Sequence, residues 1–310
     1  MSLVIGVDLG GTKTAAGLVA ADGTVIRRVS APTPAAKGPA AVLQTIVDLA
    51  TRLTESAAGA PLAGCGIGAA GVIDPVSRTV QFATNSLPGW TGTRLGAEIE
   101  DRLGLPVATV NDVHAHALGE AVHGAGRGER TVLVLAAGTG IGGALVIDGV
   151  LQSGRHGAAG HYGHLPAAEA AGLACTCGGT GHLEVIASGP AILDAYLRHG
   201  GSPVRNTQEI FARADAGDTL AAEIIDVAAS ALGRALGGLI NSVDPDIVIV
   251  GGGLAAAGPR WWTVMESHAR AEALGLLAGC HIVPTRLGAD SAIVGAASLL
   301  AAPAVARLSS

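Results

Sequence analysis

Residues 3–23, "LVIGVDLGGTKTAAGLVAADG", decide the fold. An apolar run meets a Gly-Gly turn, and a second apolar run then ends at Asp22-Gly23, which predicts a strand, a tight turn and a second strand. The same order returns at 131–149, "TVLVLAAGTGIGGALVIDG", which also ends in Asp-Gly. This restart predicts two duplicated α/β halves that face each other across a cleft.

Working outward from these stretches, strands and helices alternate along the chain. We predict a third strand at 24–31, helices at 39–57 and 93–103, strands at 64–71, 106–112 and 246–253, and a final helix at about 290–300. This alternation indicates an α/β fold with a mainly parallel sheet and helices on its faces. We expect a small N-terminal domain of residues 1–114 and 290–310, and a larger C-terminal domain of residues 115–289.

The composition limits the possible partners. The chain has 310 residues, of which 49% are hydrophobic, 2% are aromatic and 47 are glycine, so an aliphatic core with close backbone packing is expected. A net charge of -6, with acidic and basic residues interspersed, argues against nucleic acid and anionic membranes as partners. The N-terminus enters a strand at once without a basic segment, which favours a cytoplasmic enzyme.

The cysteines suggest a reducing compartment. Only four are present, at positions 65, 175, 177 and 280, and the Cys-x-Cys pair is too close in sequence for an easy disulfide. Metal ligation or plain thiols are therefore preferred to a disulfide framework.

Glycine turns between strands suggest phosphate binding. In "DLGGTK" (8–13), backbone N–H groups can approach phosphate oxygens because no Cβ intervenes, and Asp8 is placed to hold Mg²⁺, through water. A glycine-rich hairpin capped by Asp8 is the alternative, but the second turn, "GTGIGG" (138–143), favours ATP. A third cluster, "GGG" (251–253), offers a flat surface to a base or ribose. The predicted nucleotide and phosphate contacts are Asp8, Gly10, Gly11, Thr12, Lys13, Gly138, Thr139, Gly140, Gly252 and Gly253.

A carboxylate stands where a predicted strand gives way to a helix, in "VNDVHAHALGE" (110–120). One interpretation is an Asx helix cap, a common role for Asp and Asn at such a junction. The other is that Asp112 is a general base that takes a proton from a substrate hydroxyl as it attacks phosphorus.

Taken in order, "DLGGTK", "GAAGVID" (68–74), "TNSLPGW" (84–90), "VNDVHAHALGE", "GTGIGG", "GHYGH" (160–164) and "CTCGGTGHLE" (175–184) resemble the ROK family of sugar kinases, transcriptional repressors and uncharacterised relatives. The resemblance covers nearly the whole chain. It implies the actin, hexokinase and Hsp70 type of fold, with two ribonuclease-H-like domains around a central cleft. It also implies ATP- and Mg²⁺-dependent phosphorylation of a hexose, usually at the 6-hydroxyl, by a homodimer or homotetramer. By this resemblance Asp112 is the general base, and the sugar contacts are Gly71, Asn85, Asn111, Asp112, His161, His164 and Glu184.

The family also has a structural zinc held by one His and three Cys. This chain supplies His164, Cys175 and Cys177 but has His182 where the third Cys belongs. Because imidazole can replace thiolate at zinc, a site of two His and two Cys is expected. The alternatives are a displaced His182 with a weakly held metal, or a loop that is stable without metal.

His161 is a second departure from the family pattern. Most family kinases have Glu there, and that Glu contacts the sugar near C1 and C2, whereas an imidazole can donate or accept a hydrogen bond. The context "AGHYGH" (159–164), with "EVIASG" (184–189), resembles the N-acetylmannosamine kinases of the family. We therefore expect 6-phosphorylation of N-acetylmannosamine.

Two other functions were considered. A glucokinase or broader hexosamine kinase would use the same mechanism, with ATP or another phosphoryl donor, but would be expected to have Glu at position 161. A sugar-responsive regulator would need a helix-turn-helix region before the first strand at Leu3, where the sequence leaves no room for one.

Overall fold

The computed structural model of the chain describes residues 2–83 and 87–301. The strands are β1 (Leu3–Leu9), β2 (Lys13–Val19), β3 (Val25–Pro32), β4 (Leu62–Ala69), β5 (Val72–Ile73), β6 (Val80–Phe82), β7 (Val107–Asn111), β8 (Thr131–Ala137), β9 (Ile141–Ile147), β10 (Val150–Leu151), β11 (Ile247–Gly251) and β12 (His281–Pro284). The helices are α1 (Pro39–Ser56), α2 (Leu95–Leu103), α3 (Asp112–His123), α4 (Glu184–Ala187), α5 (Gly189–Arg198), α6 (Thr207–Asp215), α7 (Thr219–Val243), α8 (Pro259–Glu272) and α9 (Ser291–Ala301).

The described residues fall into two compact units. One is drawn from residues 2–130, 144–160 and 285–301, and the other from residues 131–143 and 161–284. Helix α3 thus belongs to the first unit. The predicted domain limits, 1–114 with 290–310 and 115–289, stay predictions.

The first sheet has the strand order β3-β2-β1-β4-β7. Strand β1 is antiparallel to β2 and parallel to β4, which is parallel to β7. Helix α1 begins at Pro39, a residue that suits the first turn of a helix. It buries Leu43 and Ile46 in the hydrophobic core formed with strands of this sheet. The backbone of α9 lies directly against β4. A Cβ at Gly66 of β4 would overlap the carbonyl of Ala296 in α9. Glycine therefore permits this close helix–sheet contact.

The second sheet repeats the same order, as β10-β9-β8-β11-β12. Strands β8, β11 and β12 are parallel. The nearly continuous apolar sequences of β8 and β11 are typical of strands covered on both faces, whereas β12 is a short edge strand that was not predicted. The core of the second unit joins Leu133 and Val248 of the sheet to Leu232 of α7 and Trp261 of α8. The α/β fold class and the duplicated strand pattern are confirmed.

Several predicted elements change at their ends. The final helix begins at Ser291, after a short 3-10 turn at Gly288–Asp290, and the strand predicted at 246–253 ends at Gly251. The hairpin of β5 and β6 was not predicted, because its strands are only two and three residues long. None of the described helices combines the length and the apolar character that a bilayer crossing requires.

Candidate active site

Three of the predicted phosphate contacts, Gly10, Gly11 and Thr12, form the turn between β1 and β2, and a fourth, Lys13, begins β2. The Gly10 N–H donates to the carbonyl oxygen of Lys13 over 3.1 Å, which closes the turn. The hydroxyl of Thr33 donates to the carbonyl oxygen of Gly10 over 2.8 Å and so ties the turn to the end of β3. Thr12 and Lys13 are exposed on this turn. The hydrogen bonds at Gly10 therefore fix the shape of the turn, while Thr12 and Lys13 remain accessible to a ligand.

Asp8, near the end of β1, lies in an environment that disfavours the ionised form of its carboxyl group. Burial, and next the negative charge of Asp112, raise the pKa of Asp8 from 3.8 to about 6, against the opposing charges of Arg28 and Lys13. The two carboxylates therefore interact electrostatically within the first unit. Like charges and desolvation of this kind are relieved by a bound cation, so the pair fits the predicted Mg²⁺.

Helix α3 starts close to the end of β4. A Cβ at Gly68 would lie 3.5 Å from Asp112 Cα and 2.6 Å from Ala115 Cβ, so a larger residue would push the helix away. Gly68 is also the partner of Asp8 across the β1–β4 pairing. The absence of a side chain at Gly68 is thus what lets Asp112 approach Asp8.

Asn111, and not Asp112, caps helix α3. Its side-chain oxygen accepts hydrogen bonds from the N–H groups of Val113 (2.9 Å) and His114 (3.3 Å). Its side-chain nitrogen donates to the carbonyl oxygen of Gly71 over 2.9 Å. Asp112 occupies the first helical position, where the helix dipole favours a carboxylate. The structure thus brings the predicted sugar contacts Gly71, Asn111 and Asp112 together.

One predicted sugar contact of this unit, Asn85, lies outside the described residues. Gly71, with φ of 106°, adopts a backbone conformation that favours glycine.

In the second unit, Glu184 is held beside the turn between β8 and β9. Its carboxylate accepts the N–H of Ile141 over 2.9 Å. A Cβ on Gly140 would lie 2.8 Å from the same carboxylate oxygen, and one on Gly163 would lie 3.1 Å from it. The carboxylate of Glu184 also favours the charged form of His164, although burial, the larger effect, lowers the pKa of that histidine.

His161 lies at the start of the 3-10 helix Tyr162–His164, and its ring centre is 6.1 Å from that of His164. The predicted sugar contacts His161, His164 and Glu184 are therefore neighbours in this unit.

A cavity of about 700 Å³ opens in the second unit, within the size range of small-molecule sites. Three predicted nucleotide contacts line it, Gly138, Thr139 and Gly253. Gly252 shapes the turn beside it, since its φ is 85° and a Cβ there would overlap the backbone of Ala137. Gly138 also accepts the N–H of Gly189, the first residue of α5, over 2.8 Å.

Sequence reasoning missed the rest of this cavity wall, which comes from α5, α6 and the loop after β11. The missed residues are Gly189, Pro190, Leu193, Arg205, Asn206, Thr207, Gln208, Phe211, Ala212, Asp215, Leu254, Ala256 and Ala257. A local signal existed for the two helix starts, because Ser188 caps α5 and Asn206 caps α6. Nothing in those caps indicated that both helices would meet at one cavity.

The four predicted metal ligands come together. One donor atom from each of His164, Cys175, Cys177 and His182 lies within 4.8 Å of the others. Cys177 Sγ and His182 Nδ1 are 3.2 Å apart, and the rings of His164 and His182 are 5.3 Å apart. His182 is therefore not displaced from the cluster.

The chemistry of this cluster fits zinc. His164 Nδ1 is buried and, within the described part of the chain, has no hydrogen-bond partner. Burial lowers the pKa of His164, which favours the neutral imidazole that binds metals. Burial also raises the pKa of Cys175, so a cation is needed to stabilise its thiolate. Two imidazoles and two thiols form a tetrahedral zinc donor set.

Known proteins resemble this chain over nearly its whole length. The family model described as ROK family matches residues 4–302. A glucokinase of Thermotoga maritima is 36% identical over 312 residues, covering 96% of each chain. An N-acetylmannosamine kinase of Escherichia coli O1:K1 is 35% identical over 254 residues, 82% of this chain and 84% of that one. The crystal structure of a ROK family glucokinase from Streptomyces griseus in complex with glucose and AMPPNP has a TM-score of 0.81 and 32% identity, over 96% of this chain and 99% of that one.

Proposed function

The chain belongs to the ROK family and is an ATP-dependent sugar kinase, and from this premise we propose that it phosphorylates the 6-hydroxyl of N-acetylmannosamine. The observation that carries the choice of sugar is His161, which replaces the expected Glu beside His164 and Glu184. An imidazole can donate to the carbonyl of a C2 acetamido group, which an acceptor-only carboxylate cannot do. The 35% identity to an N-acetylmannosamine kinase supports the same choice.

Asp112 is the proposed general base. It accepts the proton of the 6-hydroxyl while the sugar oxygen attacks the γ-phosphorus of ATP, and ADP leaves with the electrons of the broken phosphorus–oxygen bond. Its place at the start of α3, fixed by the Asn111 cap, orients the carboxylate. The turn of Gly11 and Thr12 would offer backbone N–H groups to the phosphates, while the Gly10 N–H closes the turn on Lys13.

Asp8 would hold Mg²⁺ in this proposal. When bound, Mg²⁺ neutralises charge on the phosphates. The raised pKa of Asp8 supports this role, because a buried carboxylate next to Asp112 gains more from a cation than an exposed one.

The zinc site is proposed as a structural one. His164, Cys175, Cys177 and His182 would supply all four ligands, which leaves no position for a substrate atom. Held in this way, the loop fixes His164 beside His161 and Glu184. Zinc would therefore serve sugar binding through the position of the loop.

Glucose is the second candidate substrate. The 36% identity to a glucokinase over 96% of both chains favours it, as does the similarity to the glucose-bound kinase of Streptomyces griseus. Both sugars share the 6-hydroxyl, so Asp112 would have the same role. The two candidates differ at C2.

A panel of sugars assayed with ATP tests the substrate. We expect kcat/KM to be higher for N-acetylmannosamine than for glucose, and His161→Glu to shift that ratio towards glucose by about tenfold, the worth of one polar contact at C2. Tyr162→Phe, at the neighbouring position, is the matched control and should leave the ratio unchanged. A wild-type kcat/KM for glucose equal to or above that for N-acetylmannosamine would overturn the assignment.

Asp112→Asn tests the catalytic role. We expect turnover to fall by about 10²–10⁴-fold, because the hydroxyl loses its proton acceptor. Calorimetry should show sugar binding retained. An active variant would remove Asp112 from the role of base.

A further inference from the structure

A cluster of polar side chains around the buried Tyr196 lies behind one wall of the cavity in the second unit. The wall residues Arg205, Asn206, Thr207 and Gln208 come from the end of the α5–α6 loop, residues 199–206, and from the first turn of α6. The N–H groups of Gly200 and Gly201 bind carbonyl oxygens of α5, so it is the following part of the loop, residues 202–206, whose conformation depends on side chains that hold it. Those side chains lie behind the wall.

Arg213 of α6 holds the middle of the loop. Its guanidinium donates to the carbonyl oxygens of Ser202 over 3.2 Å and Pro203 over 3.0 Å. It also donates to the hydroxyl of Tyr196 over 3.0 Å. A planar guanidinium can satisfy these acceptors at once, which a lysine ammonium cannot do with the same geometry.

Tyr196 and Asp218 fix Arg213 in turn. Tyr196 of α5 is only 1% exposed, and its hydroxyl donates to the carboxylate of Asp218 over 2.6 Å. Asp218 is itself fixed, because it caps α7 by accepting the N–H of Ala221 over 3.0 Å. The loop packs closely on this tyrosine, since a Cβ at Gly201 would overlap its ring. The three side chains thus join α5, α6 and α7 to the loop.

Tyr196, Arg213 and Asp218 are connected to the cavity wall through the first residues of α6. Asn206 caps that helix by accepting the N–H of Glu209 over 3.1 Å, and Thr207 donates to the carbonyl oxygen of Gly189 over 2.7 Å. Gly189 is the residue whose N–H contacts Gly138 of the β8–β9 turn. Tyr196, Arg213 and Asp218 themselves do not line the cavity. They can affect a ligand there only by positioning residues 205–208.

We propose that Tyr196, Arg213 and Asp218 are positioning residues that set the affinity of the kinase for ATP by holding residues 202–208 in the shape that accepts the nucleotide. This proposal rests on the proposed kinase activity and on the prediction that Gly138 and Thr139, which line the cavity, contact the nucleotide. It is independent of which sugar is phosphorylated.

Isothermal calorimetry with AMPPNP and Mg²⁺ tests it. If Arg213→Gln leaves the loop in its accepting shape about one tenth of the time, the Kd for AMPPNP rises about tenfold. The KM for ATP should rise by the same factor while kcat and the Kd for the sugar stay within about twofold. Arg213→Lys, which keeps the charge and part of the hydrogen bonding, should recover part of the affinity.

Tyr196→Phe keeps the ring and removes only the hydroxyl that joins Arg213 to Asp218. It therefore tests the proposal even if the Arg213→Gln protein does not fold. We expect a smaller rise in the Kd for AMPPNP, about threefold. Arg260→Gln is the matched control, because it removes two guanidinium hydrogen bonds to Asp226 elsewhere in the same unit. It should leave the Kd unchanged.

An unchanged Kd for AMPPNP in both Arg213→Gln and Tyr196→Phe would overturn the proposal. So would an equal loss of affinity for the nucleotide and the sugar, which would indicate general loosening of the fold. If the Kd shifts as expected but N-acetylmannosamine is not phosphorylated, the proposed substrate fails and this inference stands.

Discussion

The carboxyl group of Asp8 should make the stability of the metal-free protein fall as pH rises. Its pKa is about 6 in the folded chain against 3.8 for the ordinary group, so the folded state binds the proton more tightly than the unfolded state. The associated stability is present below pH 3.8 and is lost as pH rises through 6. One pKa unit corresponds to 1.36 kcal/mol, so this shift costs about 3 kcal/mol once Asp8 is ionised.

Asp8→Asn removes this titration and leaves a side chain of nearly equal size. The free energy of unfolding of both proteins should be measured with urea, without Mg²⁺, at pH values from below 3.8 to above 6. We expect the wild type to lose about 3 kcal/mol relative to Asp8→Asn between acid and neutral pH, as the linkage relation requires. Asp112→Asn serves as the second variant. It removes the charge that is the next cause of the shift after burial, so the wild-type trend should become smaller.

Two outcomes would refute this reasoning. The first is a wild-type curve that runs parallel to that of Asp8→Asn at every pH. The second is a wild type that gains stability relative to the variant as pH rises, which would mean that the pKa of Asp8 is lowered. Adding Mg²⁺ with AMPPNP should stabilise the wild type more than Asp8→Asn at neutral pH, because the variant keeps Asp112 but loses the Asp8 carboxylate that the cation would contact.

Three further changes test the packing and the metal site. Glu120→Gln should lower the free energy of unfolding by about 3 kcal/mol in urea titrations, because the fully buried carboxylate accepts the Leu287 N–H and the Ser291 hydroxyl; an effect below about 0.5 kcal/mol, the range of ordinary surface changes, would contradict this. Gly66→Ala should lower the thermal midpoint, since its Cβ would overlap a carbonyl of α9, and an unchanged midpoint would show that the helix can shift freely. His182→Ala should lower the zinc content of purified protein, measured by atomic absorption, while His182→Cys should retain it; equal zinc in all three proteins would exclude residue 182 as a ligand.

The duplicated hairpins could be predicted because their signals are local. Each consists of two apolar runs around glycines, and both the turns and the strand directions follow from residues within about twenty positions of each other. The four metal ligands could also be predicted, from the resemblance of this loop to the zinc loop of the ROK family. The structure places all four donors within 4.8 Å of each other, with His182 in the position left by the missing Cys.

The cap of α3 could not be assigned from sequence, because Asn111 and Asp112 are both good capping residues. The structure gives the cap to Asn111, whose amide also donates to Gly71, a residue 40 positions away. Such a distant partner has no local signature. The cavity wall from α5 and α6 was missed for the same reason, since ordinary helices become a binding surface only when they meet in space.

Duplication explains the two glycine turns, but it does not make them equivalent. Asp8 and Ala136 occupy matching positions near the ends of β1 and β8, where Asp8 pairs with Gly68 and Ala136 pairs with Gly251. The first turn therefore has a carboxylate with a raised pKa, and the second has a methyl group at the same place. The strand itself presents a carboxylate only at the first turn, because the carboxylate beside the second turn comes from Glu184 and accepts the Ile141 N–H. The strand carboxylate of Asp8, with its raised pKa beside Asp112, is thus the physical reason that we propose Mg²⁺ at the first turn and not at the second.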